Sequence, residues 1–79
     1  MKYFIIELQN RADGITNVQS IVSRQSLATA LSYFYDRCSK MAATELYPTV
    51  TLMLIDNTGK IYENKYLTTA YVEPEEESE

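Results

Sequence analysis

Apolar and polar residues alternate with period two in four short stretches, and with helical spacing in one long stretch between them. Lys2 to Gln9 reads as a strand, with Phe4, Ile6 and Leu8 on one side and Tyr3, Ile5 and Glu7 on the other. Asn10 to Gly14 supplies a turn, and Asp13-Gly14 is its sharpest signal, because glycine tolerates the positive φ that tight hairpins need. Ile15 to Val22 is a weaker strand, interrupted by Asn17, Gln19 and Ser20. Its polarity suits an edge that pairs back on the first strand.

Leu27, Ala30, Leu31, Phe34, Cys38, Met41 and Ala42 then recur at spacings of three and four and predict an amphipathic helix from Ser26 to about Glu45. Either Ser23 or Ser26 can cap its start by accepting a backbone N–H bond. Pro48 forces an end, since the residue before proline avoids helical angles. Such a helix is roughly 30 Å long and reaches across a four-stranded sheet.

Thr49 to Ile55 is the third strand, with Val50, Leu52 and Leu54 opposite Thr51, Met53 and Ile55. Asp56-Asn57-Thr58-Gly59 is a turn. Lys60 to Leu67 is the fourth strand, where Ile61, Glu63, Lys65 and Leu67 alternate with Tyr62, Asn64 and Tyr66. The pattern predicts an α+β domain of ββαββ order over residues 1–67. Its four-stranded, mainly antiparallel sheet carries the single long helix on one face. Residues 68–79 read as a flexible acidic tail.

Length changes the picture next. A chain of 79 residues is one domain at most. It buries only roughly 60% of its unfolded surface, so it needs reinforcement. Cys38 is the only cysteine and histidine is absent, which excludes an internal disulfide and leaves no zinc-ligand set. A second copy of the chain is the remaining reinforcement. No segment is apolar enough to span a bilayer, and Glu7 interrupts the first apolar run too early for a signal peptide. No membrane partner is expected, and the expected location is the cytoplasm.

The formal charge is −4, but five of the eleven acids fall in residues 73–79. Six acids then face seven bases in residues 1–72. A balanced body lacks the basic patch that nucleic-acid binding requires. Without histidine the commonest general base is missing, and the only glycines, Gly14 and Gly59, form no phosphate loop. No catalytic, cofactor or metal residues are assigned, and the chain is read as a non-enzyme. Cys38 lies on the apolar helix stripe and reads as a small core residue.

Seven tyrosines in the absence of tryptophan are the unusual feature. Tyrosine has an apolar body and a polar tip, which suits surfaces that are wet in one state and covered in another. One helix covers one sheet face, yet strands one and three are apolar on both. The uncovered face should therefore be an interface, with Tyr3, Ile5, Met53, Ile55, Tyr62 and Tyr66 as its candidates, and Tyr33 on the helix as a further one. A homodimer is the simplest cover.

The opening run Met1 to Gln9 and Ala12-Asp13-Gly14, with Val50 to Asp56 and Gly59-Lys60 after the helix, resembles small uncharacterised proteins encoded in phages and mobile elements of gut Firmicutes. The resemblance covers roughly residues 1–67, and the Tyr33-Phe34-Tyr35 cluster and the acidic tail depart from it. It implies no activity and no site residues. It does imply an accessory or anti-defence setting, in which the chain inhibits or otherwise binds a host protein. The competing expectation is a homodimeric structural or regulatory accessory protein.

Overall fold

The computed structural model describes residues 2–23 and 26–72, with the side chains of 21–23 outside the description. Five elements follow the expected order: β1 (Tyr3–Asn10), β2 (Thr16–Ser23), α1 (Leu27–Ala42), β3 (Thr49–Asp56) and β4 (Ile61–Thr68). The strands form one antiparallel sheet in the order β2-β1-β3-β4, so the two hairpins meet along the central β1–β3 pair. The chain is an α+β fold with α1 packed on β1, β3 and β4.

Both hairpin turns rest on glycine at positive φ, Gly14 at 91° and Gly59 at 92°. In the first, Gly14 donates to the Arg11 carbonyl at 3.1 Å and Asp13 accepts from the Ile15 N–H at 3.1 Å. Ser26 is the helix cap, its hydroxyl accepting from the Thr29 N–H at 3.3 Å. The helix stops at Ala42, earlier than expected, and is about 24 Å long. Ala43 and Thr44 close its last turn onto the Lys40 and Met41 carbonyls, and the Thr44 hydroxyl then accepts from the Leu46 N–H. That local bond competes with further helix, so the helix ends well ahead of Pro48.

The core consists of Ile5, Ala30, Phe34, Val50, Leu52 and Leu54, all with no exposed surface. Tyr3, Leu27, Leu31, Cys38, Met41, Tyr47, Tyr62 and Leu67 pack around them. Burying a side chain such as Phe34 contributes about 1.5–3 kcal/mol.

Register corrects the expected faces. Ile5 lies opposite Leu54, Glu7 opposite Leu52 and Gln9 opposite Val50, so Tyr3, Ile5, Glu7 and Gln9 face the helix. Directly opposed residues share a face. Phe4, Ile6 and Leu8 accordingly join Ile55, Met53 and Thr51 on the uncovered side. Tyr3 and Ile5 are therefore not part of the open face.

Tyr62 is the second correction. Leu54 pairs with Glu63 while Ile55 pairs with Ile61, which leaves Tyr62 as the extra residue of a bulge. The bulge turns Tyr62 to the helix side. There its ring meets that of Tyr3 edge-on at 5.9 Å, and its hydroxyl donates to Asp56 Oδ2 at 2.8 Å.

The body also extends past residue 67. Thr68 ends β4, and Thr69 donates from its N–H to the Pro48 carbonyl at 3.3 Å and from its hydroxyl to the Tyr47 and Pro48 carbonyls. The expected tail from residue 68 onward thus loses its first residues to the body. Its acidic part, residues 73–79, lies outside the described residues.

Candidate protein-interaction surface

The strands carry four charged residues, Glu7, Asp56, Glu63 and Lys65. Register places all four on the helix side: Glu7 in line with Leu52 and Lys65, Glu63 beside Leu54, and Asp56 beside Tyr3. The uncovered face carries no charged strand residue. This inverts the usual arrangement, in which a solvated sheet face is the polar one.

The open face is built from Phe4, Ile6 and Leu8 of β1, Thr51, Met53 and Ile55 of β3, Val18 of β2, and Ile61 and Tyr66 of β4. Phe4, Ile6, Leu8, Met53 and Ile55 are only half-buried although they occupy the two central strands. Val18 and Tyr66 are each 68% exposed and Ile61 56%, so the apolar surface continues to both sheet edges. Asn10, Thr16, Ser20, Thr49, Asn64 and Thr68 add neutral polar groups to it. An apolar centre inside a neutral polar surround is the composition of an interface core and rim.

Of the interface candidates, Met53, Ile55 and Tyr66 lie together on this face. Tyr33 is exposed on the helix. Phe4, Ile6, Leu8, Val18 and Ile61 belong to the face but were not among the candidates. Their signal was present in the alternation, which separates two sides of each strand without saying which side of one strand joins which side of the next.

Three of these charged strand residues, Glu7, Asp56 and Glu63, have hydrogen-bond partners that fix them in the structure. Arg37 donates to both oxygens of the fully buried Glu7, and the Gln9 amide donates to Glu7 Oε2. Those four hydrogen bonds occupy most of the acceptor sites that a carboxylate offers. Asp56 is nearly buried and accepts from the Thr58 N–H and hydroxyl, the Lys60 N–H and the Tyr62 hydroxyl. Those bonds, the Thr58 hydroxyl foremost, hold its carboxyl well below the usual carboxylate range. The Tyr62 phenol is pushed up by the same Asp56 bond. Tyr35 donates to Glu63 at 3.0 Å, and that bond raises its phenol too.

Cys38 is half-buried beside the core, and burial raises its thiol above the ordinary value. That is the direction opposite to an activated nucleophile. Among the described residues no group of three or more His, Cys, Asp or Glu could hold a metal ion, and no helix is long and apolar enough to cross a membrane.

A second feature is a cleft of about 460 Å³ where the first hairpin turn meets the segment before β3, lined by Arg11, Ala12, Asp13, Asn17, Leu46, Tyr47 and Tyr71. Arg11 is paired with Asp13 at 2.6 Å, so the cation at its rim is already partnered.

No protein-family model, curated protein or solved structure matches the chain.

Proposed function

We propose that this chain is a non-enzymatic protein-interaction module that works as a homodimer, two copies packing their open sheet faces together. The observation that carries the reading is the charge-free apolar face. A two-fold contact sets a patch against itself, so any charge near the axis meets its own like. A face without charges pays no such penalty, whereas a contact with a charged foreign surface would be expected to carry complementary charges.

Area supports the same occupant. Four strands spaced about 4.8 Å and eight residues rising about 3.3 Å each give a footprint of ~500 Å² per copy. The pair reaches ~1,000 Å², the lower bound of a specific interface, before side-chain relief is counted. Sheets packed this way lie about 10 Å apart and form a second core. The dimer would supply the burial that a chain of this length lacks.

Size-exclusion chromatography with light scattering at micromolar concentration tests the proposal. The expected result is twice the chain mass, reduced to the chain mass when Met53 and Ile55 are both changed to lysine with the helical signal retained. A monomer mass for the unaltered protein would overturn it. A dimer unaffected by the two lysines would move the contact off this face.

A host protein, the partner implied by the phage-like resemblance, would then have to use surfaces outside the dimer contact.

A further inference from the structure

The sheet has two edges, and they are built differently. β4 is guarded in the ways that natural sheets use against unwanted pairing. It carries the bulge at Tyr62, which interrupts its ladder, and the charges of Glu63 and Lys65. β2 has none of these. Its eight residues pair with β1 without a register shift, and it contains no charged residue and no proline. Among the described residues it has a strand neighbour on one side only. The helix packs on β1, β3 and β4, and Thr16, Val18, Gln19 and Ser20 are all exposed.

We propose that the outer edge of β2 accepts an extended, uncharged segment of another protein as a fifth strand. An antiparallel edge offers outward N–H and C=O groups at alternate residues, and strand addition uses that row for affinity. Side chains then select the guest. On the open-face side the guest lies next to Val18, and on the helix side next to Asn17 and Gln19. The fitting segment therefore alternates apolar or β-branched residues with neutral polar ones.

Two occupants from this chain fit less well. Residues 73–79 contain five glutamates and Pro74, a composition that strands avoid. A second copy pairing β2 with β2 would add a second two-fold contact to the dimer, which closes as a tetramer only where the two axes cross at right angles and otherwise propagates an open row. This last step rests on the dimer reading. The edge itself does not, because Asn17 and Gln19 lie on the side of the sheet away from the open face.

The test uses the full chain labelled with ¹⁵N and a synthetic peptide of four threonines alternating with four valines, with a soluble lysine tag beyond a glycine spacer. The expected result is slowed amide exchange at every second residue of Thr16–Ser23 and no change along β4. Gln19→Lys, which places a guarding charge on the edge, should weaken the peptide at least fivefold. Light scattering on the same samples should show the mass unaltered by this substitution. Unchanged exchange along β2 at millimolar peptide would overturn the proposal, as would slowing confined to β4 or to the open-face residues. Assemblies larger than the dimer that grow with protein concentration in the absence of peptide would overturn it in favour of self-pairing. A monomer mass with slowed β2 exchange would remove the dimer and leave the edge site standing.

Discussion

Arg37 on α1 and Glu7 on β1, thirty positions apart, form a forked ion pair with three hydrogen bonds of 2.7, 2.9 and 3.0 Å. Glu7 has no exposed surface and Arg37 keeps about a quarter of its side chain in water. The pair ties the helix to a central strand, with a fixed orientation that apolar packing alone does not impose.

Removing one partner should be costly. Arg37→Met leaves the Glu7 carboxylate buried with only the Gln9 amide as a side-chain donor. A broken buried pair of this kind loses about 3–5 kcal/mol. The double change Glu7→Leu with Arg37→Met should recover most of that loss, since well-packed apolar substitutes are often neutral. Urea unfolding of the parent and the two variants decides it. An Arg37→Met protein as stable as the parent would show that the pair contributes nothing net.

The same pair explains where sequence pattern stops. Glu7 and Gln9 look like the wet side of an alternating strand, and their burial depends on a guanidinium thirty residues away. Local alternation carries no trace of that partner. The hairpins and the helix were legible, because Asp13-Gly14, Gly59 and the Leu27 to Met41 stripe are local signals. The open face was legible as a property, apolar on both sides of β1 and β3, but not in its membership. Joining Phe4 to Ile55 instead of Leu54 depends on interstrand register. The bulge at Tyr62 shifted one more candidate to the helix side, and nothing in Ile61-Tyr62-Glu63 announces it.

Cys38 should react slowly. Its thiol is half-buried and raised by that burial, so little thiolate is present at neutral pH. Labelling by a maleimide should be slow in the native protein and fast in denaturant. Cys38→Ala should cost about 1 kcal/mol through a lost contact and a small void. Native labelling as fast as that of a free thiol would contradict the packing.

Asp56 should make the fold acid-sensitive. Its folded carboxyl lies below the unfolded value of about 3.9, so the folded state favours the ionised form. Stability from this group is present above the unfolded value and is lost as pH falls below it towards the folded one. Asp56→Asn removes the titration, so its melting temperature should be lower than the parent's at neutral pH and should change less as pH falls from about 4 to about 2. Parallel acid limbs for parent and variant would place the dependence on other carboxylates.

Ile6 and Tyr33 separate the sheet face from the helix as the dimer contact. Ile6 lies opposite Met53 on the central strand pair, at the middle of the open face. Ile6→Lys would bring two ammonium groups to the centre of a two-fold contact, where neither finds water or a counter-charge. Loss of the apolar contact and repulsion act in the same direction, and the dimer should weaken at least a hundredfold, about 2.7 kcal/mol. The lysine costs the single copy little, since position 6 is half-buried on the face the helix does not cover. Tyr33 is 45% exposed on the helix, on the far side of the core from that face. Tyr33→Ser should leave the dimer constant unchanged. Sedimentation equilibrium on both variants reads the difference directly. The opposite result, an intact Ile6→Lys dimer and a dissociated Tyr33→Ser protein, would assign the contact to the helix and leave the charge-free face without its proposed occupant.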